Sequence, residues 1–391
     1  MIHIKPFAAL RPAAAHVDQV VCGKHGSRLH FGNVIRSLVG ITLQNHSEED
    51  YSDALHYFEK LQSGKVLVRE ACEGIYIYKQ THPDGKEFHG IVACLAYEDY
   101  VNGDICKHEN TLTSKETLMV KHIEAIRKVG EPVLLANPND EFMNDWIQQH
   151  ENADIIFEFK DSSGKHHEIW FVNEPEAIEN LQISFLKTPR LYIADGHHRI
   201  ASVASYINLH SQKAENGGIM AYILPESALQ IKPFHRLLKQ TDREEWLDMI
   251  HNASEDFYVD LLGKPERPEK KGDIVALTPM GWYRLRLKPG HTRPNPSENL
   301  DVFRLEEYVF KKFFHIKDSK NDSRLEFVRG DEDLNTLHQW KNRGEIDGAF
   351  VLYPNTIKEI KDVADAGETM PPKSTWIEPK IPAGMLINVF D

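Results

Sequence analysis

The apolar and polar positions of this chain change period most abruptly between residues 191 and 209. An apolar run over 191–194 has the length and composition of a buried strand, and Asp195-Gly196 breaks it. From about 197 to 209, Ile200, Val203, Ala204 and Ile207 fall on one face at helical spacing. A strand, a tight glycine turn and a helix start are therefore predicted within a few residues. Upstream, the pattern predicts a helix over 51–61 and strands over 66–68 and 75–78. A strand over 88–97 returns from the turn at Pro83-Asp84-Gly85 as a hairpin. A helix over 115–129, a strand over 133–136 and a helix over 140–150 follow. A second hairpin, 155–159 with 168–172, turns around Ser163-Gly164. A helix over 174–186 leads into the central element, and a strand over 219–224 leads out of it.

The second half predicts helices over 244–254, 302–314 and 356–366. Strands over 274–278 and 282–287 flank Met280-Gly281, and 288–296 is a Pro- and Gly-containing connection. A strand, a helix and a strand are expected over 325–328, 334–343 and 348–352, with a last strand over 385–390. There is no internal repeat and no low-complexity tract. Helices and hairpins mix without strict βα alternation, so an α+β fold with a mixed sheet is expected rather than a doubly wound one. The expected division is an N-terminal α+β domain over 1–240 and a C-terminal α+β region over 241–391.

Composition narrows the function classes. The 391 residues are 41% hydrophobic and 27% charged, an ordinary globular balance. The net charge of −13 argues against broad binding to nucleic acid or an anionic membrane, while leaving room for a local basic pocket. No apolar run approaches a membrane span, and the start of the chain lacks a signal-peptide layout. Cys22, Cys72, Cys94 and Cys106 show no CxxC spacing, so neither a disulfide framework nor a structural zinc site is expected. The cytoplasm is the expected location.

Helix N-termini expose unpaired N–H groups and the positive end of the helix dipole, and so attract anions. His197, His198 and Arg199 fill the first turn of the central helix, where cations oppose the dipole. Local costs of this kind collect at functional sites. Gly196 lets a ligand approach the backbone. An anion site at 196–199 is therefore expected; the structural alternative is that Asp195 caps the helix and Arg199 pairs with a carboxylate. His108-Glu109-Asn110-Thr111 precedes the helix near 115, for which Thr113 or Ser114 would serve as cap. Glu109 there is either loop surface or a general base for a substrate hydroxyl. Lys373-Ser374-Thr375, stiffened by Pro371-Pro372, offers a cation and two hydroxyls to a phosphate, and Lys380 a second charge; the alternative is a solvated loop. His235-Arg236 is read at a strand end, reaching the same pocket or forming a surface ion pair.

Other chemistries fit poorly. GxxxxGK[ST], GxGxxG and GxSxG are absent, and residues 23–27 only imitate the first in composition. His166-His167 reads as a solvated hairpin pair, and His197 and His198 diverge on a helix, so no metal ligand set is assigned.

Ala194-Asp195-Gly196-His197-His198-Arg199 resembles the signature of the domain of unknown function 1015 family. The opening, Ile4-Lys5-Pro6-Phe7-Ala8-Ala9-Leu10-Arg11-Pro12, is similar to that family's own, as are Glu98-Asp99-Tyr100, His108-Glu109-Asn110-Thr111 and Pro233-Phe234-His235-Arg236. Met370-Pro371-Pro372-Lys373-Ser374-Thr375, followed by Pro379-Lys380, is similar to its closing motif. One departure stands out. Where members carry Pro-Tyr-Asp soon after the opening, this chain has Val21-Cys22-Gly23-Lys24-His25-Gly26-Ser27.

The family resembles ParB/sulfiredoxin-like nucleotide-binding folds, which include the free serine kinases. The resemblance implies a core of that kind around the strand–DGHHR–helix element. It implies a nucleotide, ATP or ADP, with Mg²⁺ as a further candidate. It also implies phosphoryl transfer on a small-molecule hydroxyl, serine or O-phosphoserine, as kinase, reverse reaction or phosphoserine hydrolysis. Asp195, His197, His198, Arg199 and Glu109 are then the catalytic candidates. Gly196, His108, His235, Arg236, Lys373, Ser374 and Thr375 are the phosphate- or substrate-binding ones. In such transfer most of the catalytic task is to stabilise spread charge. A carboxylate such as Asp195 is tolerated beside phosphate if it holds Mg²⁺, takes a proton or pairs with a substrate ammonium. The alternative is a nucleotide-binding regulatory switch without turnover, with which the departure at 21–27 is compatible.

Overall fold

The apolar runs of the first 229 residues pair into one mixed nine-stranded sheet. In this computed structural model, residues 1–21, 48–138, 141–151, 155–210 and 218–390 are described. The expected departure at 22–27 and the predicted helix start at Asp140 lie outside them. The chain divides into two units, Met1–Leu229 with Pro379–Asp391, and Gln230–Glu378. The sequence sets its boundary near 240. The division falls at Leu229/Gln230, and the last segment returns to the first unit.

In the first unit the strands are β1 (Ile4–Lys5), β2 (Leu10–Pro12), β3 (Leu67–Arg69), β4 (Ile75–Thr81), β5 (Glu87–Leu95), β6 (Ile105–Cys106), β7 (Lys128–Val129), β8 (Val133–Asn137), β9 (Ile155–Lys160), β10 (His166–Val172), β11 (Leu191–Asp195) and β12 (Ile219–Pro225). The large sheet runs β6-β11-β8-β12-β5-β4-β10-β9, with β1 paired to β5. The two predicted hairpins, β4–β5 and β9–β10, are antiparallel, whereas β12 lies parallel to β8 and β11 parallel to β6. The class is α+β with a mixed sheet, as the patterning predicts. Most predicted strands appear within about two residues, the usual boundary scatter.

The helix that matters most, α1 (His197–Leu209), has the predicted bounds. It buries Ile200, Val203, Ala204 and Ile207 into a core shared with Leu135, Ile193 and Ile223 of the sheet. Each fully buried aliphatic side chain of this kind contributes roughly 1.5–3 kcal/mol. Its helical neighbour, Thr113–Ile126, starts two residues earlier than predicted, and Leu112 rather than a hydroxyl residue stands at its N-cap.

The second unit carries a six-stranded antiparallel sheet and a core that includes Leu237, Val275, Leu277, Leu337 and Val351. The predicted helix over 302–314 is interrupted by a π turn at Glu306–Phe310. The patterning misses the strand Phe257–Leu262, and the strand read as ending at His235-Arg236 instead runs through them as Phe234–Leu238. The predicted strand over 385–390 shrinks to Asn388–Val389 and pairs with β7 in the first unit. Among the described residues, no helix is long and apolar enough to cross a membrane.

Candidate anion site at the start of helix α1

Strand β11 delivers Asp195 at its end, and Gly196 makes the corner with φ +100 and ψ 29, in the left-handed region. That conformation suits glycine, and a Cβ here would meet the Arg199 guanidinium at 3.1 Å. Gly196 is the N-cap, and no side chain caps the helix. The first intrahelical bond runs from Ile200 N–H to the Gly196 carbonyl, 3.0 Å. The N–H groups of His197, His198 and Arg199 precede it and have no carbonyl acceptor within the helix.

Asp195 does not cap this helix. Its Oδ2 accepts from Arg199 Nη2 at 2.6 Å, and its Oδ1 accepts from Lys380 Nζ, also at 2.6 Å. Burial raises the Asp195 pKa, but the charges of Arg199 and Lys380 outweigh it and hold the carboxyl below its ordinary value. Arg199 is braced from a third side, donating through Nη1 to the Pro132 carbonyl and standing 3.7 Å from Glu131. It anchors the corner of the fold as much as it lends charge to it. The Lys380 backbone carbonyl accepts from Gln80 Nε2 at 3.1 Å, which ties the returning C-terminal segment to β4.

Two buried histidines back the helix start. The His108 backbone N–H donates to His197 Nε2 at 3.3 Å, and the rings meet edge-on with centroids 4.4 Å apart. With Nε2 accepting, the neutral His197 ring carries its proton on Nδ1, which faces Glu109 Oε2 at 3.7 Å. Burial, followed by the positive potential of His108, His198, Arg199 and Lys107, pushes the His197 pKa well below 6.5. Burial takes His108 to about 4, partly offset by Asp195 and by a hydrogen bond with the Ile193 carbonyl. Both rings are therefore neutral near pH 7 and act as hydrogen-bonding groups rather than cations.

The structure thus brings Asp195, Gly196, His197, His198, Arg199, His108 and Glu109 together and adds Lys380. The other predicted residues belong to the second unit. His235 and Arg236 lie inside the strand Phe234–Leu238 rather than at its end, and both are fully buried. His235 Nδ1 accepts from the Leu352 N–H at 3.3 Å, and burial lowers its pKa to about 3. Arg236 donates to the carbonyls of Phe234 and Pro372 and stacks over Phe327. It is not the surface ion pair the sequence suggests as an alternative. Ser374 is buried with its hydroxyl on the Pro371 carbonyl at 2.5 Å, while Lys373 is exposed at φ +55 with its ammonium over Phe234. Thr375 is half-buried beside them.

His167 corrects the sequence reading. It is fully buried, stacked on Phe159 and bonded through Nδ1 to the Tyr78 hydroxyl at 2.7 Å. His166 stands between Glu158 and Glu168 on the same hairpin. Those three side chains are the grouping among the described residues that could hold a metal ion. They lie apart from the helix start, where both Asp195 oxygens face cations.

Family comparison decides kinship. Residues 4–303 match the family described as protein of unknown function (DUF1015). The chain belongs to that family. In this DUF1015 protein the match covers the 195–199 motif, Glu109 and His235-Arg236. It ends before Met370–Thr375 and Lys380, short of the closing likeness that the sequence suggests. No match is found among curated proteins. Among solved structures, the chain is similar to a free serine kinase in complex with AMP at 15% identity and a TM-score of 0.37, over 72% of this chain and 89% of that one. It is also similar to a conserved hypothetical protein from Pyrococcus furiosus, at 16% identity and a TM-score of 0.37, over 72% and 91%. A C-terminally truncated SbnI from Staphylococcus aureus is matched at 14% identity and a TM-score of 0.38, over 75% and 86%.

Proposed function

We propose that the first unit holds a phosphoryl group at the N-terminus of α1 and transfers it between a nucleotide and the hydroxyl of a small molecule, with serine or O-phosphoserine as the candidate. The observation that carries this reading is the uncapped start of α1, flanked by the Asp195–Lys380 pair and by Glu109 against His197. The backbone N–H groups at Gly196–Arg199 take the phosphate oxygens. His197 and His198 donate hydrogen bonds to charge that spreads in the transition state, and Arg199 holds the corner in shape. Glu109, half-exposed beside His197, takes the proton from the attacking hydroxyl. Asp195 and His108 anchor the substrate. Mg²⁺ is an added neutralising charge in this reading. The test is calorimetric titration of inorganic phosphate, ADP and O-phosphoserine into wild type and Gly196→Ala, alongside an assay of phosphate exchange between nucleotide and serine. Equal binding by the two proteins overturns the anion site.

A further inference from the structure

Asp195 presents an unusual charge balance for a residue next to an anion site. One carboxylate carries two cations, one on each oxygen, both at 2.6 Å. The two cations are not equivalent. Arg199 is a planar fork also engaged by the Pro132 carbonyl and Glu131, and it belongs to the same helix turn. Lys380 is a point charge on a four-carbon stem, its side chain 34% exposed, and its backbone is held separately through Gln80. An ammonium on such a stem exchanges partners without disturbing the fold.

A second group at the same helix start asks for a donor rather than an anion. His108 is 3% exposed, and its Nδ1 has no hydrogen-bond partner among the described residues. Its ring proton serves the Ile193 carbonyl, so Nδ1 of the neutral ring offers a lone pair. A buried acceptor left unmet costs about 1–3 kcal/mol. An unprotonated phosphate oxygen cannot relieve it, because it brings another lone pair, whereas an ammonium or hydroxyl can. His108 stands at the same helix start, with its backbone N–H on His197 Nε2 at 3.3 Å and the two rings 4.4 Å apart.

We infer that Asp195 and His108 form an ammonium-recognition point, that Lys380 occupies its Asp195 side, and that a substrate amine displaces the Lys380 ammonium onto the anion bound at the start of α1. This inference rests on the anion-site reading and names the substrate class: an α-amino acid or its phosphate ester. The exchange keeps both the Asp195 carboxylate and the Lys380 ammonium paired. The substrate ammonium meets Asp195, and Lys380 meets the phosphate. Amine and anion therefore bind with positive coupling, and that coupling is reciprocal. A hydroxy acid lacking the amine leaves Lys380 on Asp195 and gains nothing from the exchange.

The experiment uses the full chain and calorimetry with inorganic phosphate, L-serine, O-phosphoserine and 3-phosphoglycerate, which carries a hydroxyl where O-phosphoserine carries the amine. O-Phosphoserine is expected to bind at least about tenfold tighter than 3-phosphoglycerate, a difference near 1.4 kcal/mol. Lys380→Gln should weaken phosphate severalfold, tighten L-serine, and abolish the gain in serine affinity that saturating phosphate produces in wild type. Lys380→Arg, which grips Asp195 as a fork, should instead weaken L-serine. Opposite signs from two surface variants exclude a folding defect as the cause. If phosphate binds and Gly196→Ala removes it, while both Lys380 variants leave serine affinity and coupling unchanged, the exchange is overturned and the anion site stands. If wild type binds neither phosphate nor O-phosphoserine, both fall.

Discussion

Asp195 and Arg199 close a loop across Gly196, Nη2 to Oδ2 at 2.6 Å, one helical turn apart. The glycine sits under that bridge at φ +100, and the guanidinium lies 3.1 Å from where a Cβ would go. The corner that exposes the helix N–H groups is thus fixed by a carboxylate, a guanidinium and the lack of a side chain between them.

Gly196→Ala should therefore damage both stability and binding. A left-handed conformation costs a non-glycine residue about 1–2 kcal/mol. The crowded guanidinium adds to this, since Arg199 is held by Pro132 and Glu131 and cannot move freely. Urea unfolding should show a loss of at least that size, and calorimetry should show weakened phosphate binding. A variant as stable as wild type would mean that the corner relaxes.

Glu109→Gln separates binding from chemistry. The amide keeps the shape beside His197 but cannot take a proton. Nucleotide affinity should stay nearly unchanged while exchange between nucleotide and serine slows by about 10²–10⁴-fold, the usual share of a general base. Full activity in Glu109→Gln would place the base elsewhere. Nucleotide binding with no turnover in wild type would favour a regulatory switch.

Acid should destabilise the first unit before its carboxylates protonate. His108 titrates near 4 in the folded chain and near 6.5 when unfolded, and His197 is also lowered. Between those values the unfolded chain takes up protons that the folded chain refuses. The stability contributed by the neutral His108 ring is complete above about pH 6.5, falls as pH drops towards 4, and levels off below it. Each such group adds a slope of about 1.4 kcal/mol per pH unit in that window. Urea midpoints measured from pH 7.5 to 4.5 should fall accordingly, and His108→Asn should remove about one proton from the slope.

Arg236→Met tests the second unit. The fully buried guanidinium faces the charge of Glu306, whose carboxyl burial pushes up and Arg236 pulls down. Removing Arg236 takes away the positive charge that offsets burial of that carboxyl, and should destabilise the unit at neutral pH. The deficit should shrink as pH falls, because Glu306 then protonates at a higher pH than in wild type. Glu306→Gln in the same background should recover much of the loss at pH 7. A deficit independent of pH would assign the role of Arg236 to its bonds with Phe234 and Pro372 instead.

The sequence by itself determined the strand–turn–helix element to within a residue. Strand length, the glycine break and the 3.6-residue period are local properties, set by neighbours a few positions apart. It also determined the α+β class and both hairpins of the large sheet, for the same reason. It did not reveal that His167 and Arg236 are buried, because a polar residue inside a strand reads as surface until the sheet's second face is known to be covered. It placed Lys380 only as a spare charge. Tertiary structure alone decided that Lys380 meets Asp195 across 185 positions, that Arg199 reaches Pro132 across 67, and that His108 stands against His197 across 89. No periodicity encodes such pairs. They form because sheet pairing and the returning C-terminal segment bring distant backbone together, and buried polar groups then take the partners within reach.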